Sequence, residues 1–185
     1  MKIPFIHSLA STLISRYVRE ERKYFHLPSD EDPSYMERYW VKRPTVETEG
    51  SEGRNEWAAR IHVIKASDKD RHLHDHPWWN VSIILQGSYL EEVPVSQSQH
   101  PVYDQNYIMS YAAGDDLEGA STTFKLRKPG DVIFRGASTR HRLHLIDGPV
   151  YSLFFMGPVK QMWGFYTPDG KIPFREYLEN PEKFL

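Results

Sequence analysis

Three imidazoles fall within five residues in the segment Arg71-His72-Leu73-His74-Asp75-His76-Pro77. On an extended strand, side chains at i and i+2 face the same side, with Cα atoms roughly 6.5–7 Å apart. Two imidazoles at that spacing can converge on one ion at about 2.0–2.1 Å from each nitrogen. His72 and His76 would lie about 13 Å apart on such a strand, so all three cannot share one ion. One adjacent pair binds, the other histidine stands beside it, and a third ligand comes from elsewhere in the chain. Asp75 alternates to the opposite face and precedes a proline, which suits turn or supporting work better than ligation. A histidine-only set leaves a divalent ion its full charge and suits Fe(II), Zn(II), Mn(II), Ni(II) or Cu(II) alike. The 2-His-1-carboxylate oxygenase set needs a His-x-Asp/Glu, which this stretch lacks.

The composition narrows the field around that cluster. The chain has 185 residues, nine histidines and no cysteine. Disulfides, thiolate zinc sites and cysteine nucleophiles are therefore excluded. A formal net charge of -2 gives no global field for nucleic acid or an anionic membrane. No apolar run approaches the ~20 residues of a membrane span. The N-terminal stretch is too broken by His7, Ser8 and Ser11 for a secretory leader, and a cytoplasmic protein is expected.

Elements must hold the histidines, and the pattern predicts many short strands after one helix. Phe5, Ile6, Leu9, Leu13, Ile14, Tyr17 and Val18 recur at helical spacing, which gives an amphipathic helix packed on a body. LPSDEDPSY (27–35) is a connector and 45–55 a polar loop. Strands are expected over 35–43, 57–66, 80–90, 122–126, 131–135, 140–145, 150–156 and 163–166, separated by turn signals such as KPGD, RGAS, DGP and TPDG. The segment 174–185 is a short helix and tail. This is an all-β barrel or sandwich with helical decoration. We expect one domain: residues 1–56 as helix and connector packing on the barrel, 57–170 as the barrel, 171–185 as the C-terminal helix and tail.

Here the sequence resembles the cupin family. Its first motif is His-x-His, three or four residues, Glu, six residues, Gly. Its second is Gly, five residues, Pro-x-Gly, two residues, His, three residues, Asn. His74-x-His76, three residues, Asn80, six residues, Gly87 fits the first spacing, with Asn80 where Glu is usual. Gly130, five residues, Gly136-Ala137-Ser138, two residues, His141 fits the second, with Leu145 in place of the final Asn. The resemblance covers about 57–157. It implies a jelly-roll barrel (a double-stranded β-helix) in which His141 joins His74 and His76 as the metal ligands. Leu73 through Gly87 is also similar to the first motif of thiol dioxygenases, cupins with three histidines on non-haem iron and no motif Glu. Their late Ser-His-Tyr set departs here to Ser152, Phe154 and Met156, which points to another substrate. The absence of cysteine also excludes the cysteine–tyrosine crosslink found in some of them.

The resemblance makes Fe(II) the expected ion, with Zn(II), Mn(II) or Ni(II) as alternatives, and a small molecule the expected partner. Strand parity puts Asn80, Ser82 and Ile84 on the face of the histidine pair, and Leu143 and Leu145 with His141. Asn80 and Ser152 are candidate catalytic groups. Ser82, Phe154, Trp78, Arg60 and Arg135 are candidate substrate contacts, the two arginines for an anion. Trp78, Trp79 and Trp163 would flank the mouth, and 95–119 would cover it. His62 is a pocket or core residue, and His144 has the wrong parity to join His141. The expected activity is that of a metal-dependent oxygenase. A non-catalytic binding protein and a Zn/Mn-dependent isomerase or hydrolase are the alternatives. A homodimer is the expected assembly.

Overall fold

We describe the fold from a computed structural model, over residues 2–4, 6–24, 35–45, 55–95 and 122–184. Most of the connector, the polar loop and the stretch 95–119 lie outside these residues, as do His26 and His100. The elements in chain order are α1 (Ile6–Tyr17), β1 (Met36–Lys42), β2 (Ala58–Ile64), β3 (Leu73–His74), β4 (Asn80–Pro94), β5 (Thr122–Arg127), β6 (Val132–Arg135), β7 (Arg142–Met156), β8 (Gly164–Thr167), β9 (Gly170–Pro173) and α2 (Phe174–Glu179). The large antiparallel sheet runs β1-β2-β7-β4-β5, with β6 also paired to β4, and a small sheet runs β3-β8-β9. The all-β architecture expected from the strand pattern is observed, as two antiparallel sheets decorated by α1 and α2.

The large sheet is buried on both faces near its centre, which explains why β2 reads AARIHVI without alternation and is buried throughout. Its outer face carries Tyr39, Ile61, Val63 and Leu85, and α1 covers them with Ile6 and Ala10, flanked by Leu13, Ile14 and Tyr17. Leu9, counted in the helical stripe, is exposed instead. Burying a side chain such as Ile6 contributes about 1.5–3 kcal/mol. The inner face carries Trp40, Arg60, Phe154 and Ser82 in one cross-strand row, and Arg38, His62, Ser152 and Ile84 in the next. Polar and charged groups on an interior wall are costly unless satisfied, so this face is where chemistry is to be sought.

Three features differ from the sequence expectation. The strands expected at 140–145 and 150–156 are one continuous β7, because Asp147-Gly148-Pro149 bends the chain without releasing it from β4. The large sheet also begins at β1, upstream of residue 57 where the barrel was expected to start. β3 is only two residues long and pairs with β8 (His74↔Phe165), so His76, expected on the same strand as His74, lies in the loop after it.

The two motif glycines serve the bends. Gly87 has φ 76, and a Cβ there would meet the Pro149 carbonyl oxygen at 2.8 Å. Gly130 has φ 89, and a Cβ would meet the Ile3 carbonyl oxygen at 2.7 Å. Both conformations disfavour a side chain. Around Gly87 the β4–β7 register shifts repeatedly between Ile84 and Tyr89, so β4 carries a bulge. The inward residues are even-numbered before it (Asn80, Ser82, Ile84) and include Tyr89 and Glu91 after it.

Candidate metal centre

His74 ends β3, His76 follows in the loop, and His141 precedes β7. His74 and His141 form an isolated antiparallel bridge, His74 N to His141 O at 3.0 Å and His141 N to His74 O at 2.9 Å. His76 N donates to Ala137 O at 3.2 Å, in the turn of the second motif. Backbone pairing between the two motifs therefore sets the imidazoles together. Their ring centroids lie 4.9–5.4 Å apart. One nitrogen from each of His74, His76 and His141 falls within 4.8 Å of the others, and His76 Nε2 is 2.8 Å from His141 Nε2.

These residues fit a divalent ion. His74 Nδ1 is buried with no hydrogen-bond partner among the described residues. Burial and then the neighbouring charges push His76 well below the usual histidine range. Burial and then Arg135 push His141 down to about 4, against the opposing pull of Glu91. Both imidazoles are neutral near pH 7 and present lone pairs, as a metal requires. His141 Nδ1 lies 3.2 Å from Glu91 Oε1. A neutral His141 donates there, which leaves its Nε2 bare and facing His76, a tautomer inferred from the hydrogen-bond network.

Glu91 was not anticipated from the sequence. It is 1% exposed. It accepts from Arg135 Nε at 2.6 Å and Arg127 Nε at 2.7 Å as well as from His141. Burial alone would raise its carboxyl, but Arg135, His141 and Arg127 outweigh it and hold Glu91 well below the usual carboxylate range. Parity counted from Asn80–Ile84 turns Glu91 outward, and the bulge at Gly87 reverses that. Its signal in the sequence was an acidic pair inside a strongly apolar strand.

Asp75 is fully buried and anchors the loop between the histidines. It accepts from Gln161 Nε2 at 2.8 Å, Gly164 N at 2.9 Å, Tyr166 Oη at 2.8 Å and Lys171 Nζ at 2.7 Å. Gln161 also donates to the carbonyls of His76 and Ala137, each at 3.0 Å. Beneath β3, Phe165 stacks on Tyr177 of α2 at 4.0 Å and Trp163 on Phe174 at 4.6 Å. The small sheet thus seats His74 on an aromatic stack.

The cluster opens on a cavity of about 190 Å³. Ser82, Ser152, Phe154, Trp78, Arg60, Arg135 and Trp163 all line it. Asn80, expected near the ion, does not line the cavity; it is fully buried, and its Oδ1 accepts from Arg135 Nη1 at 3.2 Å. Arg135 donates also to Ser82 Oγ and Tyr89 Oη, at 3.0 and 3.2 Å. With its donors engaged by Glu91, Asn80, Ser82 and Tyr89, it works as a structural cation rather than as a substrate anchor. Trp79 does not line the cavity; it packs against Gly157 and Phe134. His72 bonds Tyr177 Oη at 2.9 Å and His144 bonds Glu92 at 2.8 Å, both outside the cluster. His62 and Arg38 line the cavity as well.

The described residues thus form an antiparallel β fold that brings three histidines together where they could hold a divalent metal. No protein-family model matches the chain, and no curated protein matches it. Solved structures similar to it include the DMSP lyase DddQ from Ruegeria pomeroyi DSS-3, at 17% identity over 76% of this chain and 56% of that one (TM-score 0.44). An RmlC-like cupin from Shewanella frigidimarina NCIMB 400 aligns at 11% identity over 77% and 90% of the two chains (TM-score 0.44). Bacillus subtilis oxalate decarboxylase, described with Mn(II) centres, aligns at 13% identity over 71% and 28% (TM-score 0.41). The chain spans less than two thirds of the lyase and of the decarboxylase. No helix among the described residues is long and apolar enough to cross a membrane.

Proposed function

We propose that the protein is a metal-dependent enzyme acting on a small molecule, an oxygenase that uses non-haem Fe(II) on His74, His76 and His141. The observation that carries this reading is three imidazole donors within 4.8 Å, with no carboxylate among them, lining a cavity. An ion held by three neutral imidazoles keeps its full charge and open positions, which supports oxygen activation or polarisation of a bound substrate. The protein's own part is to position and to exclude water. Glu91 fixes the tautomer of His141 and Asp75 fixes the loop of His76. Phe154 and Trp78, with ring centroids 6.3 and 6.5 Å from His76, wall the cavity with apolar surface. Ser152, 3% exposed, places a hydroxyl on that wall that can donate to or accept from a substrate.

The test is element analysis of untagged protein, followed by oxygen uptake by the Fe(II)-loaded form over a panel of small carboxylic acids and thiols. Stoichiometric iron and substrate-dependent oxygen uptake are expected, both lost in His76→Ala. A preparation that takes up neither Fe(II) nor Zn(II) refutes the metal site. Turnover by Zn(II) or Mn(II) protein without oxygen refutes the oxygenase assignment and leaves an isomerase or hydrolase.

A further inference from the structure

We propose that the cavity takes a small molecule carrying an alkylated ammonium and a hydroxyl, the ammonium at Asp70 and the hydroxyl at His62. This rests on reading the cavity as the substrate site and names the substrate class.

The acidic end is built by the loop that follows β2. Asp68 and Asp70 both line the cavity there. Asp68 is engaged by the fold, since its carboxylate accepts from Tyr35 Oη and from Leu143 N, the latter at 2.7 Å. Asp70 is half-buried, and its carboxylate has no hydrogen bond or ion pair among the described residues. Arg142 lies alongside but is committed elsewhere. Its Nε and Nη2 go to Glu92 at 2.9 and 2.8 Å, and its Nη1 to the main-chain carbonyls of Asp70 and Arg71 at 3.0 and 2.8 Å. Burial raises the Asp70 carboxyl and Asp68 adds to the rise, while His74 and Arg142 oppose it without cancelling it. A carboxylate partly withdrawn from water, with a second one beside it, favours a cation.

The walls around Asp70 select the kind of cation. Asp70 bears on the Tyr177 hydroxyl, whose ring stacks on Phe165 at 4.0 Å. Phe165, Phe174, Trp163 and Leu143 line the cavity. A small hydrated ion would lose water against these carbons without gaining the oxygen ligands it needs. An alkylated ammonium spreads its charge under methyl groups, which apolar and aromatic surface and a carboxylate hold together.

His62 is an independent sign of a ligand in the same cavity. It is 8% exposed, stacks on Phe154 with centroids 4.5 Å apart, and pairs in register with Ser152. Its Nε2 is buried without a hydrogen-bond partner among the described residues. Leaving such an atom unmet is costly. A hydroxyl satisfies it in either tautomer, donating to a bare nitrogen or accepting from an N–H. Burial first, and then Arg38 and Arg60, hold His62 well below the usual histidine range, so it stays neutral and does not repel a cation. Arg38 and Arg60 stand in the cross-strand rows of His62 and Phe154, whereas Tyr35 and Asp68 lie beyond the Met36/Ile64 end of the β1–β2 pair. The two ends of the cavity thus differ in charge. A molecule small enough for about 190 Å³ lies across them, with His74, His76 and His141 on the same walls.

The experiment is isothermal titration of the metal-free protein with choline, and separately with 3,3-dimethylbutan-1-ol, its neutral isostere, at one ionic strength. Choline is expected to bind at least tenfold more tightly. Asp70→Asn should weaken choline at least tenfold and leave the alcohol unchanged, so that the preference disappears. His62→Phe should weaken both ligands alike, and the surface variant Asp147→Asn neither. Urea melts report that the variants fold. Equal binding of choline and the alcohol overturns the proposal without any variant, and so does failure of choline to bind. A preference for choline that survives Asp70→Asn overturns the ammonium assignment, and affinities unchanged in His62→Phe overturn the hydroxyl assignment. Failure of the wild type to take up metal would refute the metal reading alone and leave the choline result standing.

Discussion

Glu91→Gln removes one negative charge from a place where three donors converge. The carboxylate is 1% exposed and takes Arg135 Nε at 2.6 Å, Arg127 Nε at 2.7 Å and Nη2 at 2.5 Å, and His141 Nδ1 at 3.2 Å. The amide keeps the shape and one acceptor oxygen but turns its other end into a donor facing a guanidinium. Arg135, 3% exposed, is then a buried cation without a counter-charge. Breaking one half of a buried pair costs about 3–5 kcal/mol. The partly exposed Arg127 adds little to that. The second consequence falls on the metal. Without the carboxylate to hold the His141 Nδ1 proton, metal affinity should fall about 10–100-fold, as it does on losing such a supporting acceptor. Urea melts read the first effect and competition titration with a Zn(II) chelator the second. The surface variant Glu179→Gln serves as control for charge alone. A stability loss below about 1 kcal/mol together with unchanged Zn(II) affinity would refute the assignment of Glu91 as the support of this site.

Three further outcomes follow. His74→Ala, His76→Ala and His141→Ala should each abolish stoichiometric Zn(II) or Fe(II) uptake, whereas His72→Ala and His144→Ala should not; element analysis decides. Ile6→Ala should cost about 2–5 kcal/mol in chemical melts, because Ile6 is 4% exposed against the outer sheet face, while metal uptake by the folded fraction is unchanged. Glu92→Gln should be destabilising at neutral pH and progressively less so in acid. Burial would raise the Glu92 carboxyl, but His144 and Arg142 outweigh it and hold it low. Its contribution is therefore present above the unfolded value of about 4.3 and disappears as pH falls through the lower folded value. Melting temperatures of both proteins between pH 7 and pH 3 should converge at the acid end; a constant gap refutes the linkage.

The three ligands were legible because local signals place them. Turn residues bracket both motifs, and the spacing of His74, His76 and His141 to Gly87 and Gly130 survives any error in strand ends. Ser82, Ser152 and Phe154 follow from parity along uninterrupted strand segments. What parity could not carry is whatever lies past a bulge, and Glu91 is the case in point. His62 stays between pocket and core in the sequence for a different reason. β2 is buried on both faces, so hydrophobic alternation, the usual guide to which side faces the core, is absent there. Arg135 was read as a substrate contact because a lone arginine on a short strand shows nothing of its partners. All four lie on another strand, Asn80 and Ser82 before its bulge and Tyr89 and Glu91 beyond it.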